Sequence, residues 1–292
     1  MYKFHHILRE LAANVAMSVP AIRDARVKRG RTAPGSLEEK AHAIRTQFEF
    51  FMEAIGWDGI RGRTVLEIGP GDAVPLAPLF LGAGARRYVA LDRFLGDVTS
   101  DRALELCQAA LANTAVLQDR AALRRLLQTP SRVTLIDAAI EDGAPLDARG
   151  ADFIISFNVC EHLADLEKAL RNMTALLAPG GRMIHRVDYG PHDVWQGYDN
   201  PLAFLTVPGP LWRMMSVNRG CPNRTRHTQL VSMAAALGLH VVERIGSRAS
   251  ESSVAQVRPH LSSEFRNLRD ADLGVLDARV ICGFGPFMSA AG

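Results

Sequence analysis

Cysteine is scarce in this sequence. The four present, Cys107, Cys160, Cys221 and Cys282, lie far apart and form no Cys-x-x-Cys pair. That spacing indicates neither a zinc ribbon nor a disulfide framework, and fits free thiols in a reducing compartment. No apolar run approaches the ~20 residues needed to span a bilayer. The start of the chain lacks the pattern of a signal peptide with a small-residue cleavage site, so a cytoplasmic location is expected. Charge of one sign is lacking too: 34 basic against 31 acidic residues leave a net +3, which gives no overall case for nucleic acid. Neither a fixed-period repeat nor a low-complexity tract is present. What is there is a chain of 292 residues, 48% of them hydrophobic. That suffices for one large core with an appendage, and we expect an N-terminal helical extension over 1–58 and a main domain over 59–292.

The most informative stretch runs from Thr64 to Gly71, Thr-Val-Leu-Glu-Ile-Gly-Pro-Gly. Val65, Leu66 and Ile68 read as a buried strand, and Gly69 and Gly71 permit a tight turn that a ligand can approach closely. A helix should follow, with Pro75 in its first turn and free N–H groups able to receive an anionic ligand group. Asp92 ends a second apolar run, Tyr88-Val-Ala-Leu91, at about the ~20-residue offset where an acidic side chain meets a ribose hydroxyl pair. Two strand ends thus face one nucleotide-type ligand. By itself Gly-x-Gly after a strand is a common turn signal.

The phrase Val65-Leu-Glu-Ile-Gly-Pro-Gly71 resembles the first motif of class I S-adenosylmethionine-dependent methyltransferases. Glu67, two residues before the first glycine, belongs to that motif, while the third glycine common in the family is Ala73 here. The helix, Pro179-Gly180-Gly181 and strand sequence is a second feature of the same family. The resemblance spans about 60–190 and implies S-adenosyl-L-methionine as cofactor. It further implies an α/β, Rossmann-like, mostly parallel seven-stranded sheet with helices on both faces. Strands are expected at Val133–Ile136, Ala151–Val159, Arg182–Val187, His240–Ile245 and Arg279–Phe284. It also places Glu67, Gly69, Gly71 and Asp92 at the cofactor, and an acidic residue of the Glu141-Asp142 pair near the adenine, with Asp137 as a competing choice and turn or N-cap duty as the plain alternative.

Upstream, Phe4, Ile7, Leu8, Leu11 and Val15 recur at helical spacing, and Pro20 ends the pattern. A basic segment follows, with Arg23, Arg26, Lys28, Arg29 and Arg31. Helix plus basic run has the composition of a peripheral membrane contact, but packing on the main domain with a solvated charged face is the preferred expectation. Ser36 and Glu39 form a capping box for a helix to Ile55, closed by Gly56. In the resemblance this helix closes over the cofactor. Further helices are expected over roughly 99–113 and 117–128.

Ligands of open α/β sheets bind beyond the carboxyl ends of strands, so Asn158, Glu161 and His162 should face the site. Asn158-Val-Cys-Glu-His162 resembles a Glu-x-x-Glu-His element with which some methyltransferases bind a divalent metal. Asn158 stands where that element has its first carboxylate, so no metal is expected. A segment of about 189–224, rich in aromatics and methionines, should cover the acceptor, with Asn223-Arg-Thr-Arg226 able to hold an anionic group or merely to start the next helix.

Methyl transfer from a sulfonium asks the protein to align the acceptor, exclude water and, for a hydroxyl, remove a proton. Histidine suits that last step, which makes His162, His185 and His192 candidates, with Asp188 as orienting partner or base. His185-Arg-Val-Asp188 and Pro201-Leu-Ala-Phe204 look like methyltransferases of surface-polysaccharide clusters, which suggests a sugar hydroxyl or another small-molecule acceptor. An NAD-dependent oxidoreductase is the alternative, although it predicts a glycine where Val74 stands. A non-catalytic binding module of the same fold is the other.

Overall fold

Strand residues bury side chains on alternate faces, and the seven strands of this chain do so in one mixed sheet of order β3-β2-β1-β4-β5-β7-β6. The computed structural model describes residues 2–22, 35–71, 73–112, 119–218 and 222–285. The basic segment over 23–31, Cys221 and part of the expected 99–113 and 117–128 helices lie outside the described residues.

In chain order the elements are α1 (Phe4–Ser18), α2 (Leu37–Ile55), β1 (Thr64–Ile68), α3 (Leu76–Gly82), β2 (Arg87–Asp92), α4 (Asp101–Leu111), α5 (Arg120–Leu127) and β3 (Val133–Asp137). Then come β4 (Ala151–Phe157), α6 (Leu166–Leu176), β5 (Leu177–Asp188), α7 (Gly209–Ser216), α8 (His227–Ala236), β6 (His240–Arg248), α9 (Glu251–Val257), α10 (Asp270–Leu273) and β7 (Val275–Gly283). Strands β1 to β5 run parallel and β7 is antiparallel to both neighbours. The alternation divides the core. Val65, Tyr88, Ala90 and Ile155 pack against α2, α3, α4 and α5, whereas Leu66, Val89, Ile154 and Met183 pack against α6 and α8. Both faces of the sheet are therefore covered, as a mostly parallel sheet requires.

Strand β1 pairs with β2 on one side and β4 on the other. The chain order reverses there, which opens a crevice at the carboxyl ends of these strands. The capping box of α2 forms as expected: the Glu39 amide donates to Ser36 Oγ at 3.2 Å and the Ser36 amide to Glu39 Oε2 at 2.6 Å.

Two local expectations are corrected. Pro179-Gly180-Gly181 does not separate α6 from a later strand. β5 begins at Leu177, paired with Ala151, and takes an irregularity between Ala151 and Phe153. A Cβ at Gly181 would lie 2.8 Å from the Ala151 carbonyl oxygen, so glycine permits that close approach. The second correction is the face of α1. Ile7, Glu10 and Asn14 are buried, while Phe4, Leu8 and Val15 are exposed. Asn14 Nδ2 donates to the Met214 carbonyl at 2.9 Å and Asn14 Oδ1 accepts from the Asn218 amide at 2.8 Å, so α1 docks on α7 through a polar residue. Ile7 joins a satellite core with Trp195, Phe204, Trp212 and Phe265. Among the described residues no helix is long and apolar enough to cross a membrane.

Candidate functional site

The crevice beyond β1, β2 and β4 opens into a cavity of about 1120 Å³. Its floor is the turn after β1. Gly69 and Gly71 adopt φ of +77° and +81°, a left-handed backbone that glycine takes without a Cβ penalty. The two glycines answer to different constraints. A Cβ at Gly69 would meet Val159 Cγ2 at 2.6 Å, whereas nothing lies within 4 Å of one at Gly71. Gly69 is required by packing, and Gly71 leaves space open on the cavity side.

Asp92 ties the turn to the end of β2. Its Oδ2 accepts the Gly71 amide at 2.8 Å and its Oδ1 accepts the Phe94 amide at 2.8 Å. Each carboxylate oxygen has a second lone pair, so the half-buried group can still accept from a hydroxyl pair in the cavity, which it lines. Glu141, in the short helix Ile140–Asp142, also lines the cavity, and its Oε1 accepts the Ala164 amide at 3.0 Å. Asp142 and Asp137 are exposed and do not line it.

Glu67 departs from the expected position. It points into the core, 7% exposed, and accepts the Tyr88 hydroxyl in a short hydrogen bond. Burial, outweighing the Tyr88 hydrogen bond, pushes its pKa up to about 7. It supports the strand under the turn and does not reach the cavity.

Beyond β4, Asn158 takes φ of 56°, a left-handed conformation that Asn tolerates better than most residues. Arg186 donates to Asn158 Oδ1 at 2.5 Å and leans over the Phe157 ring. Asn158 and His162 both line the cavity. The three candidate histidines separate here. His162 is exposed at the cavity, and His192 packs edge-on against it with ring centroids 5.1 Å apart. His185 is fully buried inside the sheet, with Nδ1 2.7 Å from Ser156 Oγ, and burial pushes its pKa down to about 4. It faces no ligand. Asp188 Oδ1 accepts the Gly190 amide, and its Oδ2 lies 3.8 Å from His192 Nε2. Neither Asp188 nor His192 lines the cavity itself.

The far wall comes from elements distant in sequence. Lys40, Ile44 and Gln47 of α2 close one side, so the helix before β1 does lie over the crevice. Trp212, Arg213 and Asn218 close another. The Arg224 guanidinium donates to the Phe204 and Val207 carbonyls and to Glu264, and Arg226 is fully buried on the Tyr189, Leu273 and Val275 carbonyls. Both guanidinium groups are thus engaged within the protein, while Asn223, Arg224 and Thr225 still line the cavity. Glu264 and Phe265 complete this wall, and no local pattern near them announces it. The phrases His185–Asp188 and Pro201–Phe204 lie inside β5 and the satellite core, and none of their residues lines the cavity.

The family model described as a methyltransferase domain matches residues 37–244, more than half of the chain. No curated protein matches the sequence. Among solved structures, the chain is similar to the YcgJ protein of Bacillus subtilis, with 17% identity over 83% of this chain and 99% of that one and a TM-score of 0.46. An S-adenosylmethionine-dependent methyltransferase from Mesorhizobium loti shares 13% identity over 76% and 91%, with a TM-score of 0.42. Phosphoethanolamine N-methyltransferase 2 of Haemonchus contortus, solved with S-adenosyl-L-methionine, shares 12% over 82% and 53%, with a TM-score of 0.47.

Proposed function

The chain belongs to the class I S-adenosylmethionine-dependent methyltransferase family, and on that premise we propose that the cavity holds S-adenosylmethionine beside a small hydroxylated acceptor, a sugar being the preferred one. The observation that carries this is the glycine turn tied to Asp92 at the point where strand order reverses. At about 1120 Å³ the cavity slightly exceeds the ~300–1,000 Å³ range of small-molecule sites, room for a cofactor and a second molecule.

In this reading Asp92 accepts from the two ribose hydroxyls and Glu141 lies toward the adenine. Gly71 leaves the approach path free of a side chain, and Asn158 closes the floor. When bound, the cofactor supplies a sulfonium methyl that is already activated. The protein's work is then alignment and exclusion of water, by α2 on one side and the Trp212 wall on the other. His162 is the histidine of the three candidates that lines the cavity, so it is the one placed to act on an acceptor hydroxyl. Support for a sugar comes from the wall, where Lys40, Gln47, Arg213, Asn218 and Gln229 offer hydrogen bonds beside Trp212.

The test is turnover of S-adenosylmethionine to S-adenosylhomocysteine with a panel of free sugars, nucleotide sugars and small phenols. Sugars should support turnover. Turnover with phenols alone would replace the sugar by an aromatic acceptor.

A further inference from the structure

We infer that Glu161, His162 and His192 form a binding site for one divalent transition-metal ion at the edge of the cavity. One carboxylate oxygen and two imidazole nitrogens, one from each residue, lie within 4.8 Å of one another. The substitution of Asn158 for a carboxylate argues against an ion from sequence alone. The fold brings in a group that the local phrase does not contain, the ring of His192.

Two observations, independent of the clustering, point to a ligand. The first is Glu161, 4% exposed, whose two carboxylate oxygens have no side-chain partner among the described residues and only the Glu161 and Asp188 amides near them. A buried carboxylate without a partner is unfavourable, so the group either keeps a proton or meets a cation. A cation satisfies it directly.

The second is the tautomer of His192. Its Nδ1 lies 3.2 Å from the Gly190 carbonyl oxygen, which can only accept, so Nδ1 is the donor there and Nε2 is the nitrogen left for a ligand. A ligating histidine is commonly held in this way, by a backbone carbonyl on its other nitrogen. Asp188 Oδ2, 3.8 Å from that Nε2, is too far for a hydrogen bond and stands as an outer carboxylate near the ion.

Two imidazoles with one carboxylate suit zinc, manganese, iron(II) or cobalt better than calcium or magnesium, which prefer oxygen donors. Bonds of about 2.1 Å place ligand atoms roughly 3–4 Å apart, so the exposed His162 ring closes the site by a modest rotation. Of the three ligands His162 is the one that lines the cavity, so an ion held here would lie behind that part of its wall. Were the ion bound, His162 would hold it, and the ion would supply the Lewis acidity to lower the pKa of an acceptor hydroxyl. That last point rests on the acceptor reading above, and the ion site itself does not.

The experiment uses the full chain, stripped with EDTA and titrated calorimetrically with zinc and manganese, and with cobalt(II) followed by its visible absorption. Wild type should take up one equivalent. Glu161→Gln and His192→Ala should each weaken binding by about 100-fold or more and lose the cobalt absorption. Thermal melts report whether these variants fold, and the exposed His162→Ala repeats the test should either fail to do so. No saturable uptake by wild type, or equal uptake by folded variants, overturns the site. S-adenosylmethionine titrated into the stripped protein separates the two readings, since the cofactor should still bind without metal.

Discussion

The Gly71 amide donates to Asp92 Oδ2 at 2.8 Å, which fastens the turn after β1 to the end of β2. One side chain therefore both shapes the loop and offers acceptors to whatever lies on it.

Asp92→Ala should weaken S-adenosylmethionine binding by about 1.5–3 kcal/mol, roughly tenfold to a hundredfold, through lost charge-assisted hydrogen bonds. Calorimetry with the cofactor and with analogues lacking one ribose hydroxyl divides the effect. An equal loss against the analogues would assign it to the loop anchor instead of the ribose.

The two turn glycines should fail differently. Gly71→Val places its side chain in open cavity space at a left-handed φ, costs roughly 1–2 kcal/mol of strain and should abolish cofactor binding in a folded protein. Gly69→Val drives its Cβ into Val159 and should lower the melting temperature more. Melting curves and calorimetry on both variants decide this. Full cofactor affinity in Gly71→Val would remove the turn from the site.

Glu67 gives a pH signature. Its folded pKa, about 7, is raised from 4.5 by burial. The folded state therefore holds a proton that the unfolded state has released, and stability falls as pH rises from about 4.5 to 7. Glu67→Gln keeps an acceptor for Tyr88 and removes the titration. Its advantage over wild type should grow across that window to the order of 3 kcal/mol. Denaturant melts at a series of pH values test it, and a constant difference would show that Glu67 is ionised throughout.

His185→Ala should cost about 2–5 kcal/mol of stability, as a large-to-small change in the core does, and leave kcat nearly unchanged. His162→Ala should instead lower kcat about 10²–10⁴-fold with cofactor affinity intact. Steady-state kinetics beside melting curves separate the two. A strong kcat loss in a folded His185→Ala protein would contradict its burial inside the sheet.

Asn14→Ala strands the Met214 carbonyl and the Asn218 amide, which should cost about 1–3 kcal/mol locally. Limited proteolysis should then cut the α1 region faster while the sheet melts unchanged. Unaltered cleavage would mean that Ile7 and the Tyr198 contacts of Lys3 and His6 hold the helix without Asn14.

The α/β class, the glycine turn, Asp92 and the capping box of α2 were legible along the chain because each depends on neighbours within a few residues: period-two burial, a left-handed turn, a reciprocal cap. The face of α1 was not. Hydrophobicity ranks Phe4, Leu8 and Val15 as the inner stripe, yet the partner surface at the end of α7 and just beyond it offers a carbonyl and an amide that only a polar residue such as Asn14 can satisfy. Glu67 reads as a site residue by its place in a motif, but period two aims it at Tyr88 in the core. His185 reads as a strand-end histidine, and only the pairing of β5 between β4 and β7 shows it enclosed. Glu264 joins the cavity wall, and His192 meets Glu161, through contacts of long sequence separation that leave no local pattern. The sequence by itself determined the elements and the strand-end chemistry, since these follow from short-range geometry. The tertiary structure alone decided which side chains converge, because convergence depends on packing between segments that share no period.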